Sequence, residues 1–258
     1  MSLRTGADIN PKDIVEGLGK GLRIIEAFDD DHPRLTASQA ADIAGITRTA
    51  ARRHLLSLVH FGYAAGDGKQ FWLLPRVLRM GQSYLGAARL PRLVQPFIQR
   101  VAQQCGETVN VSVLDGHEVV YVARSNPPRW MSIGYQVGMR VPAHVVTPGV
   151  VILSTMRDAE VRTWIAEHDF SAFTALTVTD RSRFADEVRQ ARDQAYWATT
   201  GQLDAAFTGI SVPLMDRKGQ CKGAIGMTVL AANYTPQDLL TQLLPPLREA
   251  TQTLRPLL

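Results

Sequence analysis

The chain has little cysteine: Cys105 and Cys221 are its only two, far apart and without CxxC spacing. That argues against a disulfide framework and a cysteine zinc site, and makes a reducing cytosol the default setting. No apolar run approaches the roughly 18 residues that a membrane helix needs. The first residues, Met-Ser-Leu-Arg-Thr-Gly-Ala-Asp, lack a signal-peptide core. A soluble, cytoplasmic protein without membrane contact is the expectation. A nucleophile elbow of the G-x-S-x-G type is missing, and so are the Walker A and Rossmann glycine patterns, so the common hydrolase and nucleotide chemistries have no anchor. The last absence is local: no acidic residue occurs from Ile43 to Gly66.

That acid-free stretch lies inside the most structured pattern of the chain, Leu35 to Phe71. Thr36 stands as N-cap before the good helix formers Ala37–Ala44, and Gly45 stands where a left-handed residue closes a helix. Thr47 caps a second run, Arg48 to Phe61. Ala51, Leu55, Leu58, Val59 and Phe61 form its apolar stripe, and Arg48, Thr49, Arg52, Arg53 and His54 its polar face. A hairpin follows around Gly66-Asp67-Gly68, with Lys69 placed to reach a phosphate. Capped helix, tight turn, basic helix and hairpin make a winged helix-turn-helix. The alternative is a solvated basic face, since charge runs are usually only that. Against it, the basic residues crowd the start of the second helix, the end that meets bases in a major groove.

The net charge of +4 and a pI near 9.3 permit nucleic acid as a partner without requiring it. With 258 residues, 45% of them hydrophobic, and a mean hydropathy of −0.06, two globular domains are expected. Ile14, Val15, Leu18, Leu22, Ile24, Ile25 and Phe28 predict a first helix packed on the helix-turn-helix, stopped by Asp29-Asp30-Asp31. The aspartates read as a solvated loop. Residues 12–75 then form the DNA-binding domain. Residues 76–104 read as a linker helix broken at Pro91, with Pro96 in the first turn of its second run, apolar on one side and suited to touching a partner subunit.

Residues 105–258 change to period two. Val109, Val111 and Val113 alternate before a turn at Asp115-Gly116, and Glu118–Arg124 answers as the partner strand. Trp130–Tyr135 predicts a third strand. Helices are expected from Thr147, over 158–168 and over 182–196, the last burying Phe184, Val188, Ala191 and Ala195. Strands 207–215 and 223–230 flank a turn at Asp216–Gly219. A final helix starts at Thr235-Pro236 and is interrupted at Pro245-Pro246. The fold class is therefore α+β, an antiparallel sheet with helices on it.

In this order and spacing, Gly17–Leu22, Ile46–Leu56, Gly106–Val109, Val137–His144 and Ile210–Pro213 resemble the IclR-type transcriptional regulators over nearly the whole chain. The likeness is greatest to the branch that controls catabolism of aromatic acids such as protocatechuate and 4-hydroxybenzoate. The resemblance implies a GAF-like effector domain behind the winged helix-turn-helix. It also implies a homodimer or dimer of dimers on double-stranded operator DNA, a small organic acid as effector, and no cofactor. The chain departs from the family pattern at Val150, Gln202 and Ala206, with Asp204 nearby, all toward the effector end.

Arg48, Arg52 and Arg53 are the expected base readers, because an Arg fork matches guanine O6 and N7. Thr36 and Thr47 double as caps and phosphate ligands. Thr49, His54 and Lys69 complete the set. The resemblance sets the effector pocket between the sheet and the helix opening at Thr147, walled by Leu114, Met131, Thr147, Pro148, Phe207, Gly209, Gly226 and Thr228. Arg124, Arg140 and His144 are the nearby cationic or polar candidates. Each also has a structural reading: Arg124, at a strand end, as the partner of an acid, and His144 as a satisfied structural histidine. A carboxylate would suit the free N–H groups of a helix start, and apolar walls suit an aromatic ring. Two other readings compete. One is a small-molecule-binding enzyme with an accessory helix-turn-helix, using Cys221 activated by Lys222 or a metal on His117, His144 and His168. The other is a protein-interaction module.

Overall fold

Two compact units make up the computed structural model, one reaching Tyr84 and the other Leu85–Leu258. It describes residues 9–127 and 134–258. The first unit holds α1 (Glu16–Glu26), β1 (Leu35–Thr36), α2 (Ala37–Ala44), α3 (Arg48–His60), β2 (Ala64–Gly66) and β3 (Gln70–Leu73). Thr36 and Gln39 form a reciprocal capping box: Thr36 Oγ1 accepts from Gln39 N at 3.3 Å, and Gln39 Oε1 accepts from Thr36 N at 2.9 Å. Gly45 closes α2 at φ 63°, a backbone conformation that only glycine adopts cheaply. Arg23 Nε, on α1, then donates to the terminal Ala44 carbonyl at 3.2 Å. The wing is a three-stranded sheet rather than a bare hairpin, because β1 pairs with β3 through Leu35 and Phe71.

The core of this unit gathers Ile24, Leu35, Ala40, Ala51, Leu55 and Phe71. Two expected stripes are narrower than the sequence suggests. The first helix begins only at Glu16, and Ile14, Val15, Leu18 and Leu22 are exposed, leaving Ile24 as its buried residue. Phe61 lies beyond the end of α3 and is 59% exposed.

The stretch expected as a linker is two helices meeting at Ala88: α4 (Leu78–Ala87), which carries the unit boundary, and α5 (Arg89–Cys105). Pro91 sits in the first turn of α5, where no N–H is needed, so it starts the helix rather than breaking it. Pro96 is interior and forfeits one backbone bond. The helix persists because Val94, Ile98, Val101 and Ala102 are buried in the second unit's core.

That core surrounds a six-stranded antiparallel sheet in the order β6-β5-β4-β9-β8-β7. The strands are β4 (Val109–Asp115), β5 (Glu118–Ser125), β6 (Arg140–Pro142), β7 (Trp197–Thr200), β8 (Phe207–Met215) and β9 (Cys221–Leu230). The anticipated third strand over Trp130–Tyr135 falls mostly outside the described residues. Edge strand β7 had no sequence counterpart. One face of the sheet packs against α5 and the C-terminal α10 (Leu244–Leu254) through Val111, Ile210, Ile225 and Leu247. The other is covered by α6 (Thr147–Ser154), α7 (Asp158–Glu167) and α8 (Arg181–Gln194), whose core centres on the fully buried Phe184. Ala195 ends α8 in the left-handed region and is exposed, so it leaves the predicted stripe. The interruption at Pro245-Pro246 is a widened π-helical turn over Leu239–Leu243 between α9 (Pro236–Asp238) and α10. Proline cannot supply the N–H that regular winding needs. Among the described residues no helix is long and apolar enough to cross a membrane.

Candidate functional site

Each unit presents one candidate site. In the first, the start of α3 is bare. Thr47 caps it by accepting from Ala50 N at 3.3 Å, and Thr47, Arg48, Thr49, Arg52 and Arg53 are all exposed. With no acid in the stretch to neutralise them, the three guanidiniums add to the positive end of the helix dipole. Thr36 is half-buried in its capping box. Lys69 is exposed at the wing tip, where Asp67 Oδ1 accepts from Lys69 N and Gln70 N at 2.9 and 2.7 Å and fixes the turn. His54 differs from expectation. It is half-buried against α1, its Nδ1 3.5 Å from where a side chain on Gly21 would begin, so it packs the helices together. Arg34, passed over in the sequence, stands 4.4 Å above the Trp72 ring and brings a further cation to the wing.

In the second unit, a cavity lies between the sheet and the start of α6. Its outer part opens to solvent, takes in about 340 Å³ with that open space included, and is lined by Tyr121, Tyr135, Thr147, Pro148, Gln202, Asp204, Phe207, Gly209 and Thr228 among others. An adjoining part of about 200 Å³, open space included, shares Tyr121, Thr147, Pro148 and Thr228 with it and adds Asn110, Ser112, Ser211 and Gly226. The pleat of the sheet explains the lining. Val109 and Val111 face α5 and α10, so Asn110 and Ser112, at alternate positions, face α6. Gly226 leaves the floor open, because a β-carbon there would come within 2.1 Å of Ser211 Oγ. Gly149 lets α6 lie against the preceding turn: its β-carbon would fall 2.0 Å from Ala143 O.

Thr147 Oγ1 and Ser211 Oγ hydrogen-bond at 2.7 Å across the cavity wall. The Tyr121 and Tyr135 rings stack 4.6 Å apart. Burial drives the Tyr121 hydroxyl well above its ordinary range, and burial followed by the Asp204 charge pushes Tyr135 up to about 12. Both therefore stay neutral. Gln202 is held from behind, its Oε1 accepting from Val178 N at 2.8 Å. The anion-binding power expected of the α6 start is small. Pro148 has no N–H, and Gly149 N and Val150 N both donate to Val146 O, leaving Thr147 N as the remaining first-turn donor.

Of the residues singled out in the sequence, Thr147, Pro148, Phe207, Gly209, Gly226 and Thr228 meet at this cavity. Met131 lies outside the described residues. The others are elsewhere. Leu114 lines a separate groove with Trp164 and Cys221 at the far end of β4. Arg140 pairs with Glu118 at 2.6 Å and Asp115 at 2.8 Å on the open edge. Arg124 spends its guanidinium on the Gly134 and Tyr135 carbonyls and on Asn126, so it positions Tyr135 from outside. His144 is 2% exposed and serves the core.

The three histidines do meet, in a line. His117 Nδ1 lies 3.2 Å from His168 Nδ1, His168 Nε2 lies 2.7 Å from His144 Nδ1, and His144 Nε2 lies 3.1 Å from the Ser171 carbonyl. One neutral tautomer on each ring satisfies every link. Burial, then the neighbouring His144 and His117, hold His168 down to about 4. Among the described residues no set of three or more His, Cys, Asp or Glu is arranged to hold a metal. Cys221 is not activated either: burial raises its thiol, while Lys222 is drawn to Asp216 Oδ2 at 3.0 Å.

Comparison with known proteins gives two family matches, "IclR helix-turn-helix domain" over residues 17–68 and "Bacterial transcriptional regulator IclR C-terminal" over residues 82–255. The p-hydroxybenzoate hydroxylase transcriptional activator of Acinetobacter baylyi is 37% identical over 254 residues, covering 96% of this chain and 93% of that protein. A crystal structure of a transcriptional regulator from Rhodococcus sp. RHA1 superposes with a TM-score of 0.78 at 33% identity, over 94% of this chain and 97% of the other. The inducer-binding domain of a double mutant of the Acinetobacter transcription factor PobR, in complex with 3-hydroxybenzoic acid, is 32% identical. It has a TM-score of 0.63 and covers 66% of this chain and 100% of its own.

Proposed function

The chain belongs to the IclR family of bacterial transcriptional regulators, and from that premise we propose that the cavity at Thr147 is the effector site through which an aromatic acid sets the affinity of the arginine-bearing α3 for operator DNA. The protein is a DNA-binding regulator and not an enzyme; the relatives it matches include a p-hydroxybenzoate hydroxylase transcriptional activator and two Pca regulatory proteins. The observation that carries the effector reading is the cavity itself. It opens between the sheet and α6, where Tyr121, Pro148 and Phe207 can bracket a ring and Thr147, Gln202, Asp204 and Thr228 set polar groups beside them.

Arg48, Arg52 and Arg53 supply base contacts, and Thr36, Thr47, Thr49 and Lys69 phosphate contacts. Arg34 joins them on the wing. The working form is a homodimer or a dimer of dimers in the cytoplasm, since two copies of α3 double the recognised site. An acid acts by binding more tightly to one of two arrangements of the protein.

The test is fluorescence anisotropy of labelled DNA from upstream of the gene, against scrambled DNA, with and without 4-hydroxybenzoate. Specific binding that weakens steeply with salt and changes with the acid supports the reading. Equal affinity for both DNAs, untouched by any aromatic acid, overturns it.

A further inference from the structure

The inner end of the cavity holds a buried acceptor with nothing to accept. Asn110 is 3% exposed, and its Oδ1 has no hydrogen-bond partner among the described residues. It is the one such side-chain atom among the described lining residues; the other unpartnered buried atom, Trp197 Nε1, belongs to a different wall. The neighbours do not relieve it. Ser211 and Thr147 bond each other, and opposite Asn110 in the sheet stand Arg124 on one side and the side-chain-free Gly226 on the other. A buried acceptor left unpaired is costly, and native proteins rarely tolerate one without a use.

We propose that Asn110 determines specificity: its Oδ1 accepts the proton of a hydroxyl carried on the ring of the bound acid. This rests on the cavity being the effector site. The ring then lies along Tyr121 and Pro148, with its hydroxyl toward Asn110. A phenol supplies the missing donor. Benzoate and the methyl ether of the phenol do not, and each leaves Asn110 buried and unpaired. A site built around such a bond rejects the analogue that lacks the donor far more strongly than an apolar pocket rejects a missing methylene.

Titration calorimetry of the full chain tests this with 3-hydroxybenzoate, 4-hydroxybenzoate, 3,4-dihydroxybenzoate, benzoate and the two methoxybenzoates. We expect at least one phenol to bind about tenfold or more tightly than both benzoate and its own methyl ether. In Asn110→Leu, that phenol should fall to within about threefold of benzoate. Equal binding of phenols, ethers and benzoate by the wild type refutes the role of Asn110 while leaving the aromatic-acid reading intact. Undiminished discrimination in a folded Asn110→Leu does the same. Binding of none of the acids removes both. If Asn110→Leu loses its cooperative melt, the wild-type comparison of phenol with ether still decides the matter.

Discussion

Acidification should destabilise the second unit through the histidine line, and the size of the effect follows from its geometry. His168 is 4% exposed and lies between His117 and His144, with its ring stacked 4.2 Å from Trp164. Asp169 and Arg181 are the charged groups that act on it, with opposing signs. Protonating the ring places a charge among buried rings and puts two N–H groups where one donor and one acceptor fit. The folded chain therefore keeps His168 neutral down to about 4, whereas the unfolded chain takes the proton near 6.5. Between those values the unfolded state binds more protons, so stability is full above about pH 6.5 and falls as the pH drops toward 4. One such group contributes a loss of about 3 kcal/mol by pH 4. Carboxylates titrate in the same range, so the useful quantity is the difference from His168→Gln, which cannot take up a proton. Urea unfolding followed from pH 7 to 4.5 should show a steeper decline for the wild type. Parallel curves, or an NMR titration placing the His168 midpoint near 6.5, would refute the reasoning.

Arg52→Ala should weaken specific operator binding by about 1–3 kcal/mol and relax base preference at one position, with an unchanged melting temperature; gel shifts on operator variants check this. Gly149→Ala drives a β-carbon against Ala143 O and should cost at least about 1–3 kcal/mol in urea unfolding, with weakened effector binding because Thr147 shifts. Arg140→Ala should cost less than about 1 kcal/mol and leave acid binding unaltered in calorimetry, because its ion pairs are exposed and away from the cavity.

Local signals in the sequence were enough for the helix-turn-helix. Thr36, Gly45 and Thr47 cap or close helices by chemistry that acts within three residues, so their reading needs no tertiary knowledge. Tertiary contacts decided what failed. His54 shares a helix with Arg53, and only the position of α1 turns it inward. Alternation in β4 put Val109, Val111 and Val113 on one face but gave no role to Asn110 and Ser112 on the other, because period two cannot tell a covered second face from an open one. Arg140 and His144 are near Thr147 along the chain, yet the turn at Ala143–Val145 sends one to the sheet edge and the other into the core. The resemblance supplied the cavity's glycine and Thr147 walls. It marked Gln202 only as a departure toward the effector end and did not reveal Tyr135 or Asn110, whose roles depend on loops and strand partners distant in sequence.

In the proposed function, the acid and the operator DNA act on one conformational equilibrium of the protein. Linkage makes this measurable from both ends, because the factor by which the acid changes operator affinity must equal the factor by which operator DNA changes acid affinity. Operator titrations with and without saturating 4-hydroxybenzoate, set against calorimetry of the acid with and without operator DNA, should return the same factor, about fivefold or more and different from one. A factor of one from both directions, with both ligands bound, would contradict the account.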